Sequence, residues 1–492
     1  MQPITAIPIT TRRFAAAFGL VAIADFLIFG YQPGLNLFIF AAFLSLTLIL
    51  LGRRRYPLVN EALLFAFCLL ASAPLLQETT GLAIITSLVG VTFTALIKAG
   101  LSPRQWIEFP FLLFRFVAGL PWRTIQACMP RPKSRANPVL TSRLRRTVRL
   151  WLLPVGFTSV FLLLFLSANP LFEIILKEIR FDVLLRFLEI GRILFWLLIF
   201  SLACAFMWPR LLNRRKPKTM TKVTHSSGLL VRCLVLFNLL FAVQTILDCI
   251  YLWGGAALPE GMTYAQYAHR GAYSLLVTAL LAAGFVLVAL RPDGPDENNR
   301  LARVLVTLWI CQNIFLCISS ILRLDLYVDT YALTHMRLNA AVWMGLVAVG
   351  LGLISLRIHL RRSNTWLIAY STLTLALTIY GYTLADRSGF IARFNVAHCV
   401  ERSGKNCKLD IGHMYELGPS AIPALDRYIS ILPPDALDTI DTARAFRQDL
   451  LDDFHRDVSG WRSWTWQRQR LNTYLATTAP FAQDEHMRKQ DE

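Results

Sequence analysis

The chain has 492 residues, 55% of them apolar and 16% charged, with a formal net charge of +19. A mean hydropathy of +0.49 excludes an ordinary soluble protein and points to a membrane protein. The basic excess is concentrated in short segments between apolar runs, so it reads as topology rather than as a nucleic-acid surface.

The apolar residues are gathered into runs of about 17–25, the length a helix needs to cross a hydrocarbon core of about 30 Å. Eleven such runs occur in chain order: Phe14–Gly30, Pro33–Leu51, Leu58–Leu76, Thr79–Ala99, Leu150–Asn169, Gly191–Leu211, Leu229–Trp253, Tyr264–Leu290, Leu301–Leu322, Leu338–Ile358 and Thr365–Ala385. They are continuous and lack the alternation of a transmembrane barrel, so the expected fold is all-α and polytopic. Arg12 and Arg13 precede the first run as in a signal peptide. A second run comes almost at once with no clear cleavage site between, so the first is read as an uncleaved span.

Lysine and arginine collect in alternate gaps. Arg12/Arg13, Arg53–Arg55, the segment from Lys98 to Arg149 with eleven basic residues and one acid, Asn213–Lys222, Arg291–Arg300 and Arg357/Arg361/Arg362 lie on one side. The other gaps, Tyr31–Gln32, Gln77–Glu78, Glu173–Glu189, Leu258–Tyr273 and Arg323–Arg337, are poor in net charge or balanced. The positive-inside rule then places the amino terminus in the cytoplasm and, across an odd number of spans, the carboxy terminus outside. The basic loops are also placed to touch anionic lipid headgroups.

The chain divides into four segments: a four-span block at 1–100, a basic cytoplasmic linker at 101–149, a seven-span membrane domain at 150–385, and an extracytoplasmic domain at 386–492. The last holds 14 basic and 16 acidic residues, against 36 and 15 in the rest of the chain. Its patterns read as mostly helical, with "GPSAIPALDRYISIL" as a Pro-punctuated helix and a later amphipathic pair broken at Ser459-Gly460. Trp106–Trp122 in the linker and Glu173–Glu189 read as amphipathic helices lying along the membrane. Cys399 and Cys407 flank a short polar loop on the oxidising side, which suits a disulfide-closed turn; two unrelated thiols are the alternative.

Polar residues interrupt the seventh to ninth spans. Asn238, Gln244, Thr245 and Asp248 fall within an arc of about 120° at 100° per residue, and an ionisable group at the depth of Asp248 needs a partner. Arg270 is the partner expected. It belongs to "LPEGMTYAQYAHRGAY" (258–273), where Thr263 and Gln266 have capping-box spacing. Gln266, His269, Arg270 and Tyr273 then share one face of the eighth span. Glu260 lies just before it. Gln312 and Asn313 sit within the ninth span, and Asp325, Asp329, His335 and Arg337 occupy the gap after it.

The stretch Asn238–Leu290, "YALTHMRLNAAVWMGLVAVGLGL", "FNVAHC" and "LDIGHMYELGPSAIPAL" together resemble a family of bacterial multi-spanning membrane proteins catalogued as domain of unknown function 4173. The resemblance covers roughly Leu150 to Leu425. It implies an integral protein of the bacterial inner membrane and supplies no catalytic or binding residues.

Function is therefore read from the polar groups. They suit a structural network tying helices together better than they suit an outward-facing transport or ligand site. The Gly/Pro-broken helices of many transporters are missing. The soluble and interfacial elements on both faces favour a non-enzymatic sensing, signalling or assembly role, with the carboxy-terminal domain meeting an envelope protein. An enzyme is the weaker reading: His269, His335, Asp325 and Asp329 lack the spacing of a metal-ligand helix, and His398 and His413 are isolated. No cofactor and no metal is expected.

Overall fold

In the computed structural model, residues 9–52, 56–100, 112–114, 190–207, 227–254, 300–403, 408–457 and 460–488 are described, and all regular structure among them is helical. Seven helical stretches among these residues are long and apolar enough to cross a membrane, and the chain is an all-α polytopic membrane protein. The predicted spans Leu150–Asn169 and Tyr264–Leu290 lie outside the described residues. So do the expected interfacial helices Trp106–Trp122, apart from 112–114, and Glu173–Glu189.

The chain forms two compact units. The first comprises Met1–Leu70, Leu88–Pro103 and Glu108–Leu212. In it α1 (Ile9–Ile28) and α2 (Leu35–Leu51) form a hairpin against α6 (Ile190–Met207). Ala17, Leu20, Ala24 and Leu27 recur at helical spacing and pack with Phe40, Leu44 and Leu48 of α2 and Ala203 and Phe206 of α6. The alanines let the backbones approach closely, which drives association where lipid is as apolar as the helix.

Polar groups in this unit are matched locally. Fully buried Asn36 accepts from Gly34 N (2.8 Å) and donates to Leu27 O and Gln32 O, both at 3.1 Å. Arg13 donates to Leu51 O at the end of α2 (3.0 and 2.8 Å), satisfying a carbonyl the helix leaves over. Asp25 receives both Arg192 (2.8 and 2.6 Å) and the Trp196 indole (2.8 Å). Lys98 of α5 (Gly81–Ala99) is wholly buried and donates to both oxygens of Glu61 on α3 (Leu58–Ser72), at 2.6 and 2.8 Å. Gly52 makes room for it, because a Cβ there would lie 2.3 Å from Lys98 Cε.

The second unit comprises Ala71–Ser87, Arg104–Ile107 and Asn213–Glu492. It contains α4 (Pro74–Gln77), α7 (Ser227–Asp248) with a π turn at Cys249–Trp253, α8 (Arg300–Tyr331), α9 (His335–His359) and α10 (Asn364–Leu384). α8 packs against both α7 and α9. Phe237 and Phe241 bracket Trp309, with ring centroids 5.1 and 5.8 Å away, while Leu236, Leu240 and Val243 point outward as a lipid-facing side of α7. The ninth span departs from expectation. It does not end at Leu322 but continues to Tyr331, so most of the expected loop Arg323–Arg337 is helix. Its sequence, RLDLYVDTY, has neither glycine nor proline to stop it.

After α10 the same unit continues into a carboxy-terminal helical domain with its own apolar cluster: α11 (Arg387–His398), α12 (Val400–Ser403), α13 (Ile411–Glu416), a 3₁₀ turn at Pro419–Ala421, α14 (Ile422–Ile431), α15 (Leu437–Asp457), a second 3₁₀ turn at Trp461–Ser463, and α16 (Trp466–Arg488). Asp386 and Asp410 cap α11 and α13, accepting from Gly389 N and His413 N at 3.0 Å. Gly418 (φ +78°) and Gly460 (φ +76°) turn the chain in the left-handed region that glycine tolerates. Its core gathers Ile391, Met414, Ile422, Leu425, Tyr428 and Phe454, and it also takes in Val328 of α8 and Leu333 of the α8–α9 turn. Cys399 is buried at the end of α11; Cys407, its expected disulfide partner, lies outside the described residues.

Candidate functional site

Two polar constellations stand out in the second unit. The first is a seam between α7 and α8. Asn238 donates to Leu234 O on its own helix (2.8 Å) and to Leu305 O across the interface (3.0 Å), while Gln312 returns a bond to Asn238 O at 3.3 Å. Toward the end of α7, Asp248 is 0% exposed and Arg323, 3% exposed, donates to its Oδ1. Gln244 donates to the same oxygen at 2.9 Å.

The π turn begins at the residue after Asp248 and brings the Trp253 indole to Ser319 Oγ (3.1 Å) with its ring stacked on Phe315 (5.5 Å). Such turns insert one residue into a helix and re-aim the side chains beyond it. Burying both charges costs several kcal/mol per ion before their attraction offsets it, so the seam is held by matching rather than by apolar packing alone.

The second constellation lies where the carboxy-terminal domain meets the turns of the membrane helices. Ala332 (φ +64°) ends α8 in a left-handed turn. Arg337 donates to Tyr331 O (2.6 Å) and to Ala332 O, and its guanidinium lies over Tyr327 (4.5 Å) and Tyr331 (5.9 Å). Leu333 N donates to Asn395 Oδ1 (2.7 Å), and Asn395 Nδ2 donates back to Leu333 O (2.9 Å). Ser388 Oγ and His335 Nε2 are 3.4 Å apart.

The α4–α5 turn is fastened to the same domain. Arg470 donates to Gln77 Oε1 at 2.7 Å, and Arg387 pairs with Glu78 at 3.6 Å. Burial holds the Glu78 carboxyl above the usual carboxylate range, with the Arg387 charge pulling the other way.

The residues expected to form one outer cluster are thus divided. Asn238, Gln244 and Asp248 come together in the seam with Gln312. Asp325 and Asp329 are exposed on the last turns of α8, and His335 and Arg337 stand in the first turn of α9. Asn313 is buried against α8 itself, donating to Trp309 O at 2.7 Å. Glu260, His269 and Arg270 lie outside the described residues; the described partner of Asp248 is Arg323, which sequence reasoning took for the first residue of a loop.

Two isolated histidines have local roles. His398 stacks on Phe394 (4.1 Å), and His413 faces Glu416 (3.5 Å). Among the described residues, no three His, Cys, Asp or Glu side chains converge. The arrangement lends itself to transmitting a displacement along a helix, since α8 contributes both to the buried charge pair and to the domain core.

The family model described as "Domain of unknown function (DUF4153)" matches residues 61–428. This corrects the number 4173 expected from the sequence motifs, and the match starts well before the Leu150–Leu425 region that carried the resemblance. No curated protein and no solved structure matched the chain.

Proposed function

The chain belongs to the DUF4153 family, and from that premise we propose that it is a multi-pass protein of the bacterial inner membrane, with its amino terminus in the cytoplasm, that senses or assembles envelope components through an extracytoplasmic carboxy-terminal domain. One observation carries the reading. α8 is a single helix of 32 residues that holds Arg323 against Asp248 and, about 7.5 Å further along, lends Val328 to the domain core. A displacement of the domain therefore acts directly on a charge pair among the spans.

Contacts among three turns are consistent with this sidedness. The α4–α5 turn, the α8–α9 turn and the segment after α10 all meet the one domain, and charge alternation puts all three in the outward set. A periplasm-dependent reporter fused after Ala385 is expected to be active, and activity only of a cytoplasm-dependent reporter would reverse the orientation. Site-specific crosslinking from the exposed faces of α15 and α16 is expected to capture one dominant envelope protein; diffuse capture would count against the role.

A second reading rests on the Asp248–Arg323 pair itself, since buried ionisable groups beside a π turn also line transport pathways. Solute flux into vesicles that is abolished by Asp248→Asn would favour transport over sensing.

A further inference from the structure

A cavity of about 330 Å³ opens in the second unit beside the contacts of Glu78 and Arg387. Its size falls within the range of small-molecule sites. One wall is the α4–α5 turn with Glu78 and Thr79, and Ser388 of α11 adjoins it. The start of α16 also lines it, with Thr465, Gln467 and Arg468. Leu417, Phe454 and Leu471 supply an apolar side, and the turn Gly418–Ser420 completes the lining.

The two charged walls differ in sign. At the α16 wall, Thr465 accepts from Arg468 N at 3.3 Å and caps a 23-residue helix, so the positive end of that helix and the Arg468 guanidinium act together. Arg468 is braced by donating to Ser463 O at 2.5 Å, and Gln467 is braced by Ser420. At the α4–α5 turn, Glu78 is a carboxylate that burial disfavours in its charged form and that Arg387 meets only at 3.6 Å, so a second cation placed beside it gains more than it would in water.

We infer that this cavity binds a small apolar zwitterion, an α-amino acid or short peptide. The ligand carboxylate lies at Arg468 and the head of α16, its ammonium at Glu78, and its side chain against Leu417, Phe454 and Leu471. The inference deepens the sensing reading and rests on it for its biological meaning. The cavity wall joins the α4–α5 turn to the domain, so occupancy ties together the elements that a sensor must couple.

The test uses the purified full chain in lipid nanodiscs, with calorimetric titration of L-leucine and alanyl-leucine. N-acetyl-leucine lacks the ammonium, leucinamide lacks the carboxylate, and glucose tests a hydroxyl-lined site without charge. Leucine or the dipeptide is expected to bind at least tenfold more tightly than any of the three controls. Glu78→Gln should narrow the preference over N-acetyl-leucine, Arg468→Gln the preference over leucinamide, and Leu471→Trp should fill the cavity and abolish binding while the unliganded protein keeps its unfolding temperature.

Equal affinity for the blocked compounds, binding of glucose alone, or no heat with either zwitterion at millimolar concentration overturns the site. The sensing reading is measured separately, as the ligand-induced change in a probe on α8 near Arg323. Binding without that change removes the sensing reading and leaves the site standing. Absence of binding removes the site and leaves the crosslinking test of sensing untouched.

Discussion

Replacing Arg323 by alanine takes a buried cationic partner away from Asp248, which is 0% exposed, while Gln244 still donates to it at 2.9 Å. Breaking one side of a buried pair costs about 3–5 kcal/mol, whereas replacing both members by well-packed hydrophobic residues of similar volume is often neutral or stabilising by about 1–4 kcal/mol. Arg323→Ala and Asp248→Ala alone should therefore each destabilise by about 3 kcal/mol or more. The double variant Asp248→Leu/Arg323→Met should recover most of the loss, because no charge is then left buried without its counter-ion. The assay is reversible denaturant unfolding of the purified protein in mixed micelles, followed by far-ultraviolet circular dichroism. A cost below about 1 kcal/mol for Arg323→Ala, or a double variant no more stable than the worse single, would refute the view that α7 and α8 are held by a matched buried pair.

Asn395→Ala removes both bonds to Leu333 and should cost about 1–3 kcal/mol; amide exchange at 332–335 should rise, and unchanged exchange would show that the turn is held by apolar packing instead. Gly52→Ala puts a methyl 2.3 Å from Lys98 Cε and 2.8 Å from Leu48 O, and is expected to cost about 1–3 kcal/mol by overpacking; a wild-type unfolding midpoint would mean Lys98 swings aside freely. Glu78 binds its proton more tightly folded than unfolded, so its contribution to stability falls as pH rises from the ordinary glutamate value of 4.5 through its higher folded value. Glu78→Gln should therefore gain stability relative to wild type as pH rises through that window, and a difference independent of pH would sink the assignment.

The membrane character and helix positions were legible because the dominant signal is the length of an apolar run, which a bilayer reads almost one-dimensionally. Arg323 shows where that signal misleads. A charge after an apolar run looks like a loop, yet here it points inward to a carboxylate 75 residues earlier in the chain. The polar arc of α7 was visible from residue spacing alone, but its partner was not, since helical periodicity places a residue on a face without naming what faces it. The contacts of Asn395, Gln77 and Arg470 could not be read from the sequence, although Gln77 lies in a gap and Asn395 in a motif that it singles out. Each is an ordinary polar residue, and its role depends on which turn the fold brings against it.

Val328 and Leu333 raise a question of modularity. By charge and composition the segment after Ala385 looks like a detachable soluble piece, but part of its core is built from residues of α8 and the turn beyond it. Cut away at Asp386, it would carry an apolar hollow where those two side chains belong and an Asn395 amide deprived of the backbone it grips. Such a fragment is expected to aggregate when expressed alone and to become soluble only when a peptide spanning Val328–Leu338 is supplied with it. The soluble portion is in this sense the far end of a membrane helix bundle, and it cannot be exchanged between proteins without taking α8 along.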